Sequence, residues 1–218
     1  MELVFFGVLH VLVLVYWLGG DLGAFYTSRY LTLPGVPTDR RLLAAKIVGD
    51  VDMAPRFSLI FALPTGYGLA VFKGWIDAPI WTAAAGLAAA CVWAWGAWRL
   101  HMRHGQDRVW TALDRAIRYA LIATLIPIGA MIVLNQLEPA PAFIGWKLLL
   151  LAIAIGFGLA IRIVLKPLGP ALAALGQMDQ ASQAEDDLRN VMARARPLVA
   201  CIWLCLIAAA VLGVATPV

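Results

Sequence analysis

A single histidine, His10, lies inside the apolar run "LHVLVLVYWLGG". An imidazole among hydrocarbon side chains costs free energy unless it is hydrogen-bonded or coordinates something. At helical spacing Gly7, His10, Leu14, Trp17 and Asp21 fall on one stripe. The ring lies about 10 Å below the end of that helix, at 1.5 Å per residue. Two readings follow. His10 is a ligand to a metal or haem iron, or a proton acceptor; or it is an interior histidine bonded to a neighbouring helix.

Other residues able to do chemistry are few. Asp21 and Arg29 stand two turns apart, and Arg56 follows Asp52 by four residues. Either arginine suits a carboxylate such as a haem or porphyrin propionate, or is ordinary juxtamembrane charge. His101 and His104, flanking Met102, have a spacing that permits joint ligation on a helix, but no third ligand is near, and a solvated loop is the competing reading. Cys201 and Cys205, at i and i+4, suit a soft ion such as Cu(I) or simple packing. Met131 with Asn135, and Lys147 with Glu138, are candidates for an outer vestibule. The chain contains no nucleophile–base set, phosphate loop, zinc signature or nucleotide fingerprint, and no catalytic residue is assigned.

The elements that must position these residues are membrane helices. Of 218 residues 62% are hydrophobic and 14% charged, against about half and a quarter in soluble domains. Six apolar segments are expected to cross a bilayer, at about 3–20, 57–72, 78–98, 116–136, 143–165 and 197–216. The first reads as a retained helix, with Glu2 where a signal peptide would be basic, and is expected to continue to about Tyr30. In the second, Pro64, Gly66 and Gly68 of "LPTGYG" predict a bend or a close approach. Gly7, Gly19, Gly20 and Gly23 are expected to leave room for a flat macrocycle between helices.

Fifteen of the seventeen Lys and Arg residues fall in alternate connections or at their edges, leaving Lys73 and Lys147 on the other side. The positive-inside rule makes the basic side cytoplasmic. The expected fold is thus an all-α, six-span bundle in a bacterial inner membrane, one domain over 1–218, both termini periplasmic. The net charge of +4 reflects topology and does not point to nucleic acid. Three cysteines, all in apolar runs, do not make a disulfide framework. Between segments five and six, "SQAEDDLRNVMARAR" pairs Ser182 with Glu185 at capping-box spacing. Leu188, Val191, Met192 and Ala195 follow on one face, which predicts a separate amphipathic helix along the interface or on the bundle. Trp93, Trp95 and Trp98, with Trp17, Trp75, Trp81 and Trp146, suit an interfacial aromatic belt.

Three stretches carry a resemblance. "LHVLVLVYWLGG" resembles the first-helix signature of the copper-resistance D (CopD) family, a histidine followed seven residues later by Trp-Leu-Gly-Gly. "PRFSLIFALPTGYGLA" and "GWKLLLLAIAIGFGLAIRIVLKPL" are similar to later helices of that family, and the small bacterial membrane protoporphyrinogen oxidases look related in the same places. The likeness covers most of the chain except the Trp-rich third segment. It implies that His10 is the metal or haem ligand, that Arg29 or Arg56 is the family's arginine, and that Lys147 is its lysine, with Trp17 beside the guest. The interval from Trp17 to Arg29 is longer than in the oxidases, and the histidines and methionines of a copper path are lacking. Three functions are weighed: a haem b or porphyrin-binding membrane protein, an oxidoreductase if an enzyme, served by a membrane or periplasmic redox partner; a copper transporter using His10 and Met131, with Cys201 and Cys205; and a non-catalytic anchor or assembly subunit. A homo-oligomer is compatible with each.

Overall fold

The computed structural model describes residues 1–103, 105–137, 140–177 and 181–216. All its regular elements are helical: α1 (Glu2–Ser28), running through a 3₁₀ turn to Leu31, α2 (Thr38–Val51), α3 (Met53–Phe72), α4 (Ile80–Met102), α5 (Arg108–Val133), α6 (Ala142–Val164), α7 (Leu168–Ala174) and α8 (Ala181–Ala215). Five of these helices, α1, α4, α5, α6 and α8, are long and apolar enough to cross a membrane. The expected second span, α3, falls outside that set. It is instead the most enclosed of the long helices, with Ile60, Pro64, Thr65 and Gly68 among its buried positions.

The long helices form two groups. α3 packs against both α1 and α4, α6 packs against both α5 and α8, and the two groups meet more lightly along α1–α8 and α4–α5. Within each group, glycine lets backbones approach. A Cβ on Gly68 would stand 2.3 Å from the Phe6 ring, and one on Gly20 would stand 2.5 Å from Pro55 Cδ. A Cβ on Gly145 would come 2.6 Å from the Gly129 carbonyl oxygen. These are small-residue seams of the kind that membrane helices use where no hydrophobic drive exists between them. The glycines of α1 divide. Gly20 and Gly23 are filled by Pro55 and Val51, while a Cβ on Gly7 or Gly19 would meet nothing within 4 Å, and of the four only Gly7 lines the central cavity between the helix groups.

The basic end carries a second small core, where Leu31, Ala44, Ala171, Leu172, Leu188, Val191 and Met192 are buried together. Here the expected separate amphipathic helix is corrected. Its apolar face is as read, but it forms the first half of α8, a 35-residue helix continuous with the last span. Pro197 lies inside that helix without ending it, because packing on both sides of the proline outweighs one lost backbone hydrogen bond. Ser182 and Glu185 make no capping box. Glu185 instead accepts from Arg41 Nη2 at 3.2 Å, and Arg41, 4% exposed, also donates to the carbonyls of Val36 and Leu33. α2 and α7 have no counterpart in the sequence reading. The aromatic belt is also smaller than expected: Trp81, Trp95, Trp98 and Trp146 are exposed, but Trp17 is 3% exposed and sits in the central core.

Candidate functional site

Between the two helix groups lies a cavity of about 1500 Å³, lined from α1, α3, α4, α5, α6 and α8. That exceeds the roughly 300–1000 Å³ of common ligand pockets. Its wall is almost wholly hydrocarbon, and His10 stands on it.

The local sequence explains how His10 is held. Gly66 of α3 faces the ring, and a Cβ there would stand 3.0 Å from His10 Cε1. The missing side chain thus brings the imidazole close to α3 and within 2.9 Å of Thr65 Oγ1 through Nδ1. Thr65, 1% exposed, already donates its own hydroxyl hydrogen to the Phe61 carbonyl at 2.6 Å. Its oxygen is therefore left to accept, and His10 Nδ1 must carry the proton. This assigns the tautomer from the hydrogen-bond network. Nε2 then holds a lone pair, has no hydrogen-bond partner among the described residues, and is not a sealed atom. A neutral imidazole fixed through one nitrogen and open at the other is the arrangement metal-ligating histidines adopt.

Trp17 and Lys147 line the same cavity as His10. Lys147 enters from α6, across from His10 on α1, so both helix groups contribute. The remaining sequence candidates lie elsewhere. Arg29 is exposed, bonded to the hydroxyls of Tyr26 and Tyr30, and its guanidinium lies 4.0 Å from the Tyr26 ring centre. Arg56 donates to Asp52 at 2.7 Å, the i,i+4 pair its spacing suggests, and is off the cavity wall. Asp21 does not meet Arg29; its carboxylate is buried near Trp203 of α8, with Oδ2 and Trp203 Nε1 both sealed and outside good hydrogen-bond geometry. Met131 is 39% exposed on the outside of α5 and does not line the cavity. Of the cysteine pair only Cys205 reaches the wall. His101 Nε2 lies 3.2 Å from Asp50 on α2, a contact that occupies it; His104 and Glu138 lie outside the described residues. Among the described residues no three of His, Cys, Asp and Glu gather closely enough to hold a metal ion.

Two features of the site escape sequence reading. One is Thr65, whose role depends on a contact 55 residues away in the chain. The other is a charge cluster beneath the cavity's deep end. Asp114 accepts from Arg118 Nε at 3.0 Å, Arg162 Nη1 at 2.6 Å and Trp93 Nε1 at 2.9 Å. Trp93 lines the cavity, so Asp114 fixes the plane of an indole on its wall. Arg118 and Arg162, counted in the sequence as topology-setting charge, are in fact engaged in joining α4, α5 and α6.

Comparison with known protein families, curated proteins and solved structures finds no match to this chain.

Proposed function

We propose that the protein is a CopD-like membrane protein that holds haem b or a related porphyrin in the central cavity, with His10 Nε2 as axial ligand. The observation that carries this reading is the His10 ring on the wall of a large apolar cavity, bonded to Thr65 through Nδ1 and without a hydrogen-bond partner among the described residues at Nε2. One imidazole suffices to hold haem iron on its proximal side. Trp17 and the Asp114-bound Trp93 supply flat aromatic wall suited to a macrocycle. Bound haem would bring one-electron redox chemistry to the membrane. The chain's own part is to bind and orient the guest and exclude water, and a membrane or periplasmic partner would exchange the electrons. Of the ligands a copper path would use, only His10 and Cys205 reach the cavity wall, while Met131 and Cys201 are off it.

In this reading α3 is a sixth span. Its 20 residues rise about 30 Å, the thickness of the hydrocarbon core. Shelter between α1 and α4 relieves it of the need to be apolar on every face. Six crossings return both termini to the side opposite the basic loops, the periplasmic side of a bacterial inner membrane.

The test is an absorption spectrum with metal analysis of detergent-purified protein, repeated on His10→Ala. The expected result is a Soret band with iron near one per chain, lost in the variant. A colourless protein lacking iron after haem-replete expression refutes the reading. Copper in place of iron, lost in the same variant, moves the site to metal transport; a stoichiometric co-purifying polypeptide on a colourless chain favours an assembly subunit.

A further inference from the structure

The cavity is chemically polarised. Its end away from the basic loops carries two ammonium groups, from Lys73 at the close of α3 and Lys147 in the second turn of α6. Lys147 is only partly exposed, and its Nζ lies against α8, where a Cβ on Gly213 would stand 2.9 Å away. The Lys73 ammonium sits 4.4 Å from the centre of the Trp75 ring, which in turn meets Phe143 edge-on at 5.0 Å. Trp75, Phe143 and both lysines share the cavity wall. One carboxylate, Asp77, is also on it. Among the described residues, none of these three charged groups forms a salt bridge. Among the described residues on this part of the wall the balance is therefore positive, above a wall of hydrocarbon.

A lysine near a helix end that merely anchors a membrane helix lays its stem along the lipid-facing surface and lifts its amine to water. Lys147 turns inward instead, and an ammonium held half-buried gains from a counter-charge. We propose that the guest is an amphiphilic carboxylate whose acid groups sit at Lys73 and Lys147, with its apolar body along the His10 wall. This rests on the porphyrin reading and deepens it: the propionate-type groups of the guest point to the lysine mouth. The arginines Arg29 and Arg56, for which the sequence suggested that role, are off the cavity wall.

The full-length chain in non-ionic detergent is titrated with protoporphyrin and its dimethyl ester, and separately with a long-chain fatty acid and its methyl ester. Each titration is repeated on Lys73→Gln/Lys147→Gln, on Lys147→Arg and on His10→Ala. The expected result is a preference of tenfold or more for the porphyrin acid over its ester. The double Gln variant abolishes that preference by weakening the acid alone, and Lys147→Arg keeps it. Equal binding of acid and ester, or a preference that survives the double variant, overturns the proposal. If the double variant does not fold, judged by its thermal midpoint, the exposed Lys73→Gln alone is expected to lower the preference at least threefold, and an unchanged preference overturns the proposal. Metal-loaded protein whose Soret band depends on His10, but which binds acid and ester alike, leaves the haem reading standing without this site. An acid preference confined to the fatty acid and indifferent to His10→Ala supports the cationic mouth while removing the porphyrin.

Discussion

Replacing Thr65 by valine tests the geometry on which the site depends. The two side chains have nearly the same shape, so the change removes an acceptor without opening much space. Thr65 is 1% exposed, and the His10 Nδ1–H it receives at 2.9 Å has no other partner among the described residues. Leaving that donor unpaired in an apolar setting costs about 1–3 kcal/mol. At about 1.4 kcal/mol per factor of ten, that is roughly 5- to 150-fold in any equilibrium requiring the locked ring. Outer-shell partners of metal-bound histidines carry a similar weight, about 10–100-fold in metal affinity. Thr65→Ser, which keeps the hydroxyl, should lose only the packing of one methyl group. The direct assay is ¹⁵N NMR of histidine-labelled protein without added haem. The chain has only three histidines, and His10→Ala identifies the relevant signal. The wild type and Thr65→Ser are expected to show His10 as the Nδ1–H tautomer, and Thr65→Val to show mostly Nε2–H. An Nε2–H tautomer in the wild type, or a Thr65→Val protein with tautomer and iron content unchanged, would refute the reasoning.

Two further outcomes follow from the charge geometry. Asp114→Asn strands Arg118, whose side chain is 3% exposed, and should destabilise the protein by about 3–5 kcal/mol in reversible unfolding; adding Arg118→Met to it should recover a good part of that loss, and no recovery would show that the cluster does not act through the stranded charge. Asp107 accepts from the Trp110 amide at the start of α5 and from Arg99, and these bonds hold its carboxyl below the usual carboxylate range. A carboxyl with a lowered folded value contributes stability that is complete above its unfolded value near pH 4 and fades as pH falls through the folded one. The thermal midpoint of wild type should therefore exceed that of Asp107→Asn at pH 7 and converge on it toward pH 3.

The all-helical character, the position of the apolar segments and the placement of basic residues at one end were legible in the chain, because each depends on composition and local period alone. A hydrocarbon run long enough to span a bilayer states its preference without knowing its neighbours. His10 was legible for a related reason: an imidazole in such a run is costly enough to demand an explanation. The i,i+4 pair of Asp52 and Arg56 was readable too, since helix geometry brings it together.

What depended on contact between helices was not. α3 carries a proline and polar side chains that lower its hydropathy, and its place between α1 and α4, which buries Pro64 and Thr65, could not be read from that composition. The amphipathic face of residues 188–195 was visible, but whether it lay on lipid or on α2 and α7 was decided by surfaces that lie on other helices, one of them more than a hundred residues away in sequence. Gly20 and Gly66 read alike as small residues. One is filled by Pro55 and the other receives the His10 ring, a difference made by the helix each happens to face. Likewise the sequence marked Lys147 as a candidate without showing that its amine turns inward, and nothing in it separates Arg118 from loop charge. Which way a side chain points is fixed by the rotation of its helix against its neighbours, and that rotation is settled only when the whole bundle packs.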